Sequence, residues 1–188
     1  MSNDKADLYR NKLDRLYAII QQLRPDSSPQ DFEAFASYFT TDCLVYLKSM
    51  NLHSLPGISR QEAIEDMKDI LGKIHIEKRE VLLFALTSDE YTVLCEMKQR
   101  INVMGEIIDP FFETAVVTFD EEGLIKVFKI YNCWSPIVRI VQDKTGLGPY
   151  GEGEKWKNFE AHLEKTANAR IRKRKETTGE GLNKGCCT

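Results

Sequence analysis

The stretch YTVLCEMKQRINVM, residues 91–104, has the alternation of a long β-strand. Its odd-numbered positions are apolar or aromatic apart from Gln99, whereas its even-numbered positions include Glu96, Lys98 and Arg100. Successive side chains of a strand point to opposite faces. We therefore expect the odd face to look into a core or pocket, and the even face to look toward solvent or a polar dimer interface.

Three further stretches around this one have the composition of strands. Residues 74–86, 111–119 and 124–141 are rich in β-branched and aromatic residues, and turn-forming residues separate them. Together the four stretches predict a meander of four long strands. Residues 124–134 are apolar on both faces, which favours a central strand covered on both sides.

Helical periodicity precedes these strands. Apolar residues recur at helical spacing over residues 5–23, after Ser28 and after Ser59, and both serines are suited to cap a helix. Ser59 and the glutamate three positions later form a capping-box pattern. Residues 42–48 indicate a short strand between the second and third helices.

These elements predict an α+β fold. Three N-terminal helices can cover only one face of a strongly curved mixed or antiparallel sheet, which makes a cone-shaped roll with a pocket between the two layers. We expect this domain to span residues 1–145. A Gly-rich link and a C-terminal amphipathic helix would then span residues 146–178, and a disordered tail residues 179–188.

The composition is that of an ordinary globular protein, with 188 residues, 42% hydrophobic and 29% charged. The absence of a membrane-length apolar run and of a signal-peptide pattern predicts a cytoplasmic protein. Residues 155–188 hold nine Lys and Arg against four Asp and Glu, and the rest is acidic, which argues against a nucleic-acid-binding domain. The basic cluster at residues 170–175 predicts a solvated, frayed helix end or a contact with an acidic partner.

Three segments resemble a known superfamily. They are FASYFTTDC at residues 35–43, PGISRQEAI at 56–64 and GLIKVFKIY at 123–131. They resemble the nuclear-transport-factor-two-like (NTF2-like) superfamily, and within it the branch of SnoaL-like polyketide cyclases, limonene epoxide hydrolases, scytalone dehydratases and fungal meroterpenoid isomerases. The resemblance covers about residues 5–140. It implies a cofactor-free enzyme or small-molecule binder that forms dimers or trimers.

The chain departs from the motifs of these enzymes at their catalytic positions. The cyclases and epoxide hydrolases have Tyr-any-Asp in the last strand, where this chain has YNC at residues 131–133. The epoxide hydrolases also have Arg-any-Asp in a strand where this chain has MKQ at residues 97–99. The paired histidines of scytalone dehydratase have no match either. Any chemistry here must therefore use other groups.

Two residues are candidates for acid/base work. His53 lies in a loop that the resemblance places near the pocket mouth, where an imidazole can exchange a proton near pH 7. Its alternative is an exposed loop histidine. Glu113 lies in the apolar run FFETAVV, where a carboxylate has a raised pKa and can act as an acid or a base. Its alternative is a strand-end glutamate that points to water.

Other side chains are candidates for holding a substrate. Tyr46 is a candidate catalytic group and Tyr131 a candidate substrate-binding group. Each would donate a phenolic hydrogen bond to a carbonyl oxygen and so stabilise an enolate. The alternative for each is an aromatic residue of the core. Cys133 is more simply a small buried hydrophobic residue. The three scattered histidines make no metal site. The remaining substrate-binding candidates are Asn132, Gln99, Met97, Trp134, Tyr38 and, despite its simpler interpretation, Cys133.

These observations predict a metal-free and cofactor-independent enzyme that cyclises, isomerises or dehydrates a small carbonyl-bearing molecule. One base would remove a proton next to the carbonyl, and an acid would return it elsewhere. The resemblance implies polyketide or terpenoid secondary metabolism, and a homodimer or trimer formed through the outer sheet face.

Two alternatives remain open. The domain could be a non-catalytic small-molecule-binding or assembly module of the same fold. The C-terminal basic helix could instead bind a partner, or cover the pocket as a lid through Trp156 and Phe159.

Overall fold

The computed structural model describes residues 2–47, 55–150 and 154–178, with side chains described over 4–47, 55–150 and 161–176. No helix in these ranges is long and apolar enough to cross a membrane. The elements, in chain order, are α1 (Ser2–Gln22), α2 (Pro29–Ala36), β1 (Phe39–Tyr46), α3 (Arg60–Leu71), β2 (Ile74–Leu86), β3 (Thr92–Val103), β4 (Glu106–Phe119), β5 (Ile125–Asn132), α4 (Ser135–Thr145) and α5 (Glu154–Thr178).

The five strands form one mixed sheet in the order β1-β5-β4-β3-β2. Strands β2 to β5 run antiparallel to their neighbours, as the predicted meander requires. The first strand, β1, forms one edge of the sheet and pairs in parallel with the last strand, β5. The α+β prediction and the mixed sheet are confirmed.

Serine caps begin α2 and α3 as predicted. Ser28 accepts a hydrogen bond from the backbone N–H of Asp31, and the Asp31 carboxylate accepts from the backbone N–H of Ser28, which completes a capping box. Ser59 caps α3 by accepting from the N–H of Glu62. The carboxylate of Glu62 accepts from the N–H of Ile58 instead of closing the predicted box.

The prediction of one strand over residues 124–141 is wrong. Strand β5 ends at Asn132, and α4 begins at Ser135. Pro136 lies in the first turn of α4, where its missing N–H costs no hydrogen bond, and Gly146 ends the helix in the left-handed conformation with φ of 75°. The β-branched residues of this segment suggested a strand, but they recur at helical spacing and pack one face of α4 against the sheet.

The sequence analysis assigned residues 105–110 to the turn between two strands, and the turn in the structure is shorter. Met104 and Gly105 make the turn, with φ of 50° and 94°, and β4 begins at Glu106. Pro110 therefore lies inside β4 and not in a loop.

The core lies between α1 to α3 and the inner face of the sheet. Every odd position of β3 from Val93 to Val103 is buried, as the alternation predicts. Ile137 of α4 packs with Ile101 and Phe111 in a second cluster at one end of the sheet. The outer face carries apolar side chains that no described residue covers fully, among them Leu83, Leu94 and Phe112, of which Phe112 is 53% exposed.

The basic cluster of α5 contacts the chain's own acidic helix α3, so the prediction of a solvated, frayed helix end is wrong. Arg170 donates hydrogen bonds of 3.0 Å to Glu62 and of 3.0 Å to Asp66. Arg174 donates to Glu62 at 2.7 Å. Arg170 also reaches the carbonyl oxygen of Leu55 at 3.2 Å. We call these two arginines and two carboxylates the α5 clasp.

Candidate functional site

A cavity of about 80 Å³ lies between the helices and the inner face of the sheet. Side chains from α1, α3, α4 and strands β2 to β5 form its walls, and nearly all of them are aliphatic or aromatic. Gln99, Glu113 and Asn132 are the charged or amide-bearing groups among the described lining residues. Such a volume has room for several water molecules or a small ligand. A largely apolar wall with a few converging polar groups is typical of a small-molecule site.

The carboxylate of Glu113 is the centre of these polar groups. Tyr17 Oη donates to Glu113 Oε1 at 3.0 Å, and Gln99 Nε2 donates to the same oxygen at 3.1 Å. Asn132 Nδ2 donates to Glu113 Oε2 at 3.2 Å. The three donors come from α1, β3 and β5, so the carboxylate is held from three elements at once.

The strand register explains this convergence. Glu113 on β4 is the direct cross-strand partner of Asn132 on β5 and of Met97 on β3. Gln99 lies two residues beyond Met97 and therefore on the same face of the sheet. Tyr17 reaches the Glu113 carboxylate from the helix layer, because it lies on the buried stripe of α1.

The hydrogen bonds leave one acceptor position on the carboxylate unused among the described residues. A carboxylate has about four lone-pair positions, two on each oxygen. Oε1 of Glu113 accepts from both Tyr17 and Gln99, whereas Oε2 accepts from Asn132 alone. The second lone pair of Oε2 is therefore the position from which Glu113 can take a proton.

Burial raises the pKa of Glu113 above its ordinary value. The hydrogen bonds from Tyr17, Asn132 and Gln99 and the charge of Arg79 act in the opposite direction, and burial outweighs them. Burial and the nearby Glu113 charge raise the pKa of Tyr17 well above its ordinary value. Tyr17 is therefore a neutral donor at physiological pH, and Glu113 is the titrating group of the pair.

Two further polar atoms of the cavity residues are buried without a hydrogen-bond partner among the described residues. They are Oδ1 of Asn132, an acceptor, and Nε1 of Trp134, a donor. Buried polar groups are nearly always paired in native proteins. Both residues line the cavity, so these atoms are available to a polar group that enters it.

The structure places four of the sequence-predicted residues in the cavity wall: Glu113, Gln99, Asn132 and Trp134. His53, predicted as the second acid/base group, lies outside the described residues. Leu47, the last described residue before that gap, lines the cavity.

Five predicted site residues are not brought to the cavity. Tyr38 packs against the main core, and Tyr46 is half-buried with the Lys129 ammonium 5.4 Å from its ring. Met97 is fully buried, and its sulfur accepts a 3.0 Å contact from Arg79. Tyr131 and Cys133 are exposed because they point away from the face that carries Asn132, so the interpretation of Cys133 as a buried hydrophobic residue is wrong.

The sequence analysis missed Tyr17 as a site residue. It lies at a helical spacing with Leu13, Leu16 and Ile20, which marks it as a core residue. Only the packing of α1 over β4 brings its hydroxyl to Glu113. A phenol in the buried stripe is the one signal the sequence offers, because a buried tyrosine hydroxyl needs a partner, and Tyr9 carries the same signal.

Solved structures of known proteins share this architecture. A proposed isomerase from Bacillus subtilis superposes with a TM-score of 0.57 at 14% identity, over 78% of this chain and 96% of that one. A proposed polyketide cyclase from Xanthomonas campestris pv. campestris gives 0.54 at 10% identity, over 72% and 96%. An NTF2-like protein of unknown function from Exiguobacterium gives 0.52 at 12%, over 65% and 98%. The chain has the NTF2-like fold.

Sequence comparison adds no closer relative of this NTF2-like chain. No protein-family model matches it, and no curated protein matches it. Within the described residues, no group of three or more His, Cys, Asp or Glu is arranged to hold a metal ion. The function must therefore be argued from the cavity itself.

Proposed function

We propose that this NTF2-like protein is a cofactor-independent enzyme that moves protons on a small, mostly apolar molecule with a carbonyl group, with Glu113 as the base. One observation carries the proposal. A carboxylate with a raised pKa lies in an apolar cavity, is held by three donors, and keeps one lone pair on Oε2. A base of this kind works best when its pKa lies near the working pH.

The proposed first step is enolate formation. Oε2 of Glu113 takes a proton from the carbon next to the carbonyl, the electrons of that C–H bond form a C=C bond, and the negative charge moves to the carbonyl oxygen. The unpaired N–H of Trp134 is the candidate donor for that oxygen, because a fixed donor in a water-poor site stabilises developing charge.

The second step determines the reaction class. Return of the proton from Glu113 to another carbon is an isomerisation. Attack of the enolate carbon on a second carbonyl, whose oxygen takes the proton from Glu113, is a cyclisation. Departure of a hydroxyl from the carbon next to the enolate carbon, as water formed with the proton from Glu113, is a dehydration. His53 remains our proposed second acid/base group. The structural neighbours described as an isomerase and a polyketide cyclase support this choice of classes. We also propose that this reaction belongs to polyketide or terpenoid biosynthesis, and this part of the proposal rests on the sequence resemblance.

Proton exchange with solvent tests the proposal without the natural substrate. The protein is incubated in D₂O with cyclohexanone, 2-decalone and β-tetralone, and deuterium next to each carbonyl is followed by NMR. We expect exchange above the buffer rate for at least one ketone, and a loss of at least about tenfold in Glu113→Gln, because general-base catalysis contributes about 10²–10⁴-fold. Tyr46→Phe, which removes a hydroxyl outside the cavity wall, is the matched control. Equal exchange by the wild type and Glu113→Gln would contradict the proposal.

A non-catalytic binding module is the second candidate. The observation that favours it is the residue at position 133, where the cyclases that this chain resembles carry a catalytic aspartate and this chain has an exposed cysteine. In that case the ketones would bind, and their signals would shift in the protein's NMR spectrum, but none would exchange its protons.

We also propose that the protein assembles through the outer sheet face. That face exposes Leu83, Leu94 and Phe112. The β3 pattern left solvent or a polar dimer interface open for this face, and the sequence resemblance implied assembly through it. Large apolar side chains grouped on one face of a sheet are typical of a protein–protein interface.

A further inference from the structure

Arg79 stacks on the ring of Tyr17, a hydrogen-bond donor to the proposed base, and is almost enclosed. It belongs to β2, its side chain is 9% exposed, and its guanidinium carbon lies 4.3 Å from the centre of the Tyr17 ring. Its Nη1 atom donates a 2.7 Å hydrogen bond to Asp14 of α1. Its other nitrogens face sulfur atoms, with Nε 3.0 Å from Met97 Sδ and Nη2 3.6 Å from Cys95 Sγ.

This arginine does not belong to the cavity wall and donates no recorded hydrogen bond to Glu113 within the described part of the chain. Its neighbours connect it to the base indirectly. Tyr17, on whose ring it stacks, is the phenol that donates to Glu113 Oε1. A buried acid would neutralise the charge of Arg79 fully. Its partner Asp14 is instead 44% exposed, and water weakens the effect of the Asp14 charge, so much of the positive charge of Arg79 remains.

We infer that Arg79 is a positioning residue for Glu113: it fixes the ring of Tyr17 so that its hydroxyl meets the carboxylate, and its positive charge stabilises the ionised form of that carboxylate. The inference concerns the site of the proposed function, and it deepens that proposal by naming what keeps the base ionised. The cation–ring contact accounts for the first part, because a guanidinium over an aromatic face holds both groups in place. The second part follows from the low dielectric of the surroundings, in which one charge acts on another over a longer distance than in water.

The groups around Glu113 show why the charge of Arg79 matters. Tyr17 of α1, Gln99 of β3 and Asn132 of β5 donate hydrogen bonds to Glu113. Asp14 of α1 and Cys95 of β3 contact Arg79. The charge of Arg79 lowers the pKa of Glu113 against the effect of burial. Loss of this charge should therefore leave a larger share of Glu113 protonated and unable to act as a base.

The titration of Glu113 tests this inference in the intact protein without any substrate. The probe is the ¹³C signal of the Glu113 carboxyl carbon, followed by NMR from pH 4 to pH 9 and assigned with Glu113→Gln. We expect Arg79→Met to raise the midpoint by about half a pH unit or more, because an opposite charge near a carboxylate commonly lowers its pKa by one unit or more. Arg79→Lys keeps the charge and should restore most of the wild-type midpoint.

The control is Lys78→Met, which removes the neighbouring exposed cation on the same strand. An unchanged midpoint in Arg79→Met, or an equal shift in Lys78→Met, would overturn the inference. If Arg79→Met does not fold, Asp14→Asn answers the same question, because it leaves the guanidinium charge uncompensated and should lower the midpoint. The proposed function is tested by a different measurement, since ketone exchange in Glu113→Gln does not depend on how Arg79 acts.

Discussion

Asn132 faces Glu113 across the β4–β5 pair, and its Nδ2 atom donates a 3.2 Å hydrogen bond to Oε2. Oε2 is also the oxygen that keeps a lone pair free of the described residues. Asn132 therefore sets the direction in which the carboxylate can accept a proton. Its own carbonyl oxygen is buried without a partner in the described chain.

Glu113→Gln should stabilise the folded protein at neutral pH. Burial raises the pKa of Glu113, so the folded chain binds this proton more tightly than the unfolded chain, and ionisation above the folded pKa lowers the free energy of unfolding. A neutral amide removes that cost, and Asn132 can turn its oxygen toward the new N–H. We expect the melting temperature at pH 7.5 to rise by about 2–4 °C.

The gain should disappear in acid. Below about pH 4.5 the carboxyl is protonated in both the folded and the unfolded wild type, so the charge no longer distinguishes them. Melting curves at pH 7.5 and pH 4 measure this, with Glu96→Gln on the exposed face of β3 as control. A destabilisation of similar size at both pH values would show that Glu113 stabilises the fold and that its ionisation does not reduce the free energy of unfolding.

Asn132→Asp should move the pH dependence of ketone exchange upward. It puts a second carboxylate within hydrogen-bond distance of Glu113, and two such groups cannot both ionise easily. The pair would then bind one proton through neutral pH and titrate as a unit. We expect exchange at pH 7 to fall about tenfold and to recover at higher pH. Asn132→Ala, which removes the donor and adds no charge, should show a smaller shift, and identical profiles for the two variants would refute the charge argument.

Removal of the α5 clasp should release α5 from α3. The double substitution Arg170→Met and Arg174→Met leaves the mostly buried carboxylates of Glu62 and Asp66 without their cations. We expect a loss of about 2 kcal/mol in the free energy of unfolding, less than for a fully buried pair. Hydrogen exchange along α5 should rise at the same time. Lys173→Met is the matched control because that lysine is 58% exposed, and equal effects of the two changes would argue against a specific clasp.

The clasp should also weaken in acid. Burial acts to raise the pKa of Glu62, but the hydrogen bonds from Arg174 and from the Ile58 N–H, with the charges of both arginines, lower it to about 2. A lowered carboxyl pKa stabilises the fold above the unfolded value near 4.5, and that contribution is lost as the pH falls from 4.5 toward 2. Proteolysis of α5 by pepsin should therefore accelerate over this range more in the wild type than in the double variant, whose α5 is already released.

Phe112→Glu should prevent assembly through the outer sheet face. Phe112 is 53% exposed on that face, and a buried carboxylate in an apolar interface is strongly unfavourable. Sedimentation velocity at tens of micromolar should show a dimer or trimer for the wild type and a monomer for the variant. Leu8→Glu on α1, which is 49% exposed away from the sheet, should assemble as the wild type does. A monomeric wild type would contradict the proposed assembly.

Local patterns predicted much of this fold and part of the site. The alternation of β3 identified its buried face, the serine caps marked α2 and α3, and Glu113 stood out as a charge in an apolar run. Tyr17 could not be recognised, because its partner lies 96 residues away and a helix stripe looks the same whether or not it reaches a carboxylate. The clasp was missed for the same reason, since Arg174 and Glu62 are 112 residues apart. The sequence analysis missed helix α4 because its β-branched residues are typical of a strand and drew attention away from their helical spacing.

The parallel pairing of β1 with β5 has a consequence for the nascent chain on the ribosome. Phe39 pairs with Ile125, which is synthesised 86 residues later, or roughly 4–17 s later at about 5–20 residues per second. Until then β1 lacks its neighbour in the sheet, although β2, β3 and β4 have already been synthesised. Strand β1 therefore cannot join the sheet before β5 is made, and a chain that ends before Ile125 would leave the edges of β1 and β4 unpaired and prone to aggregate.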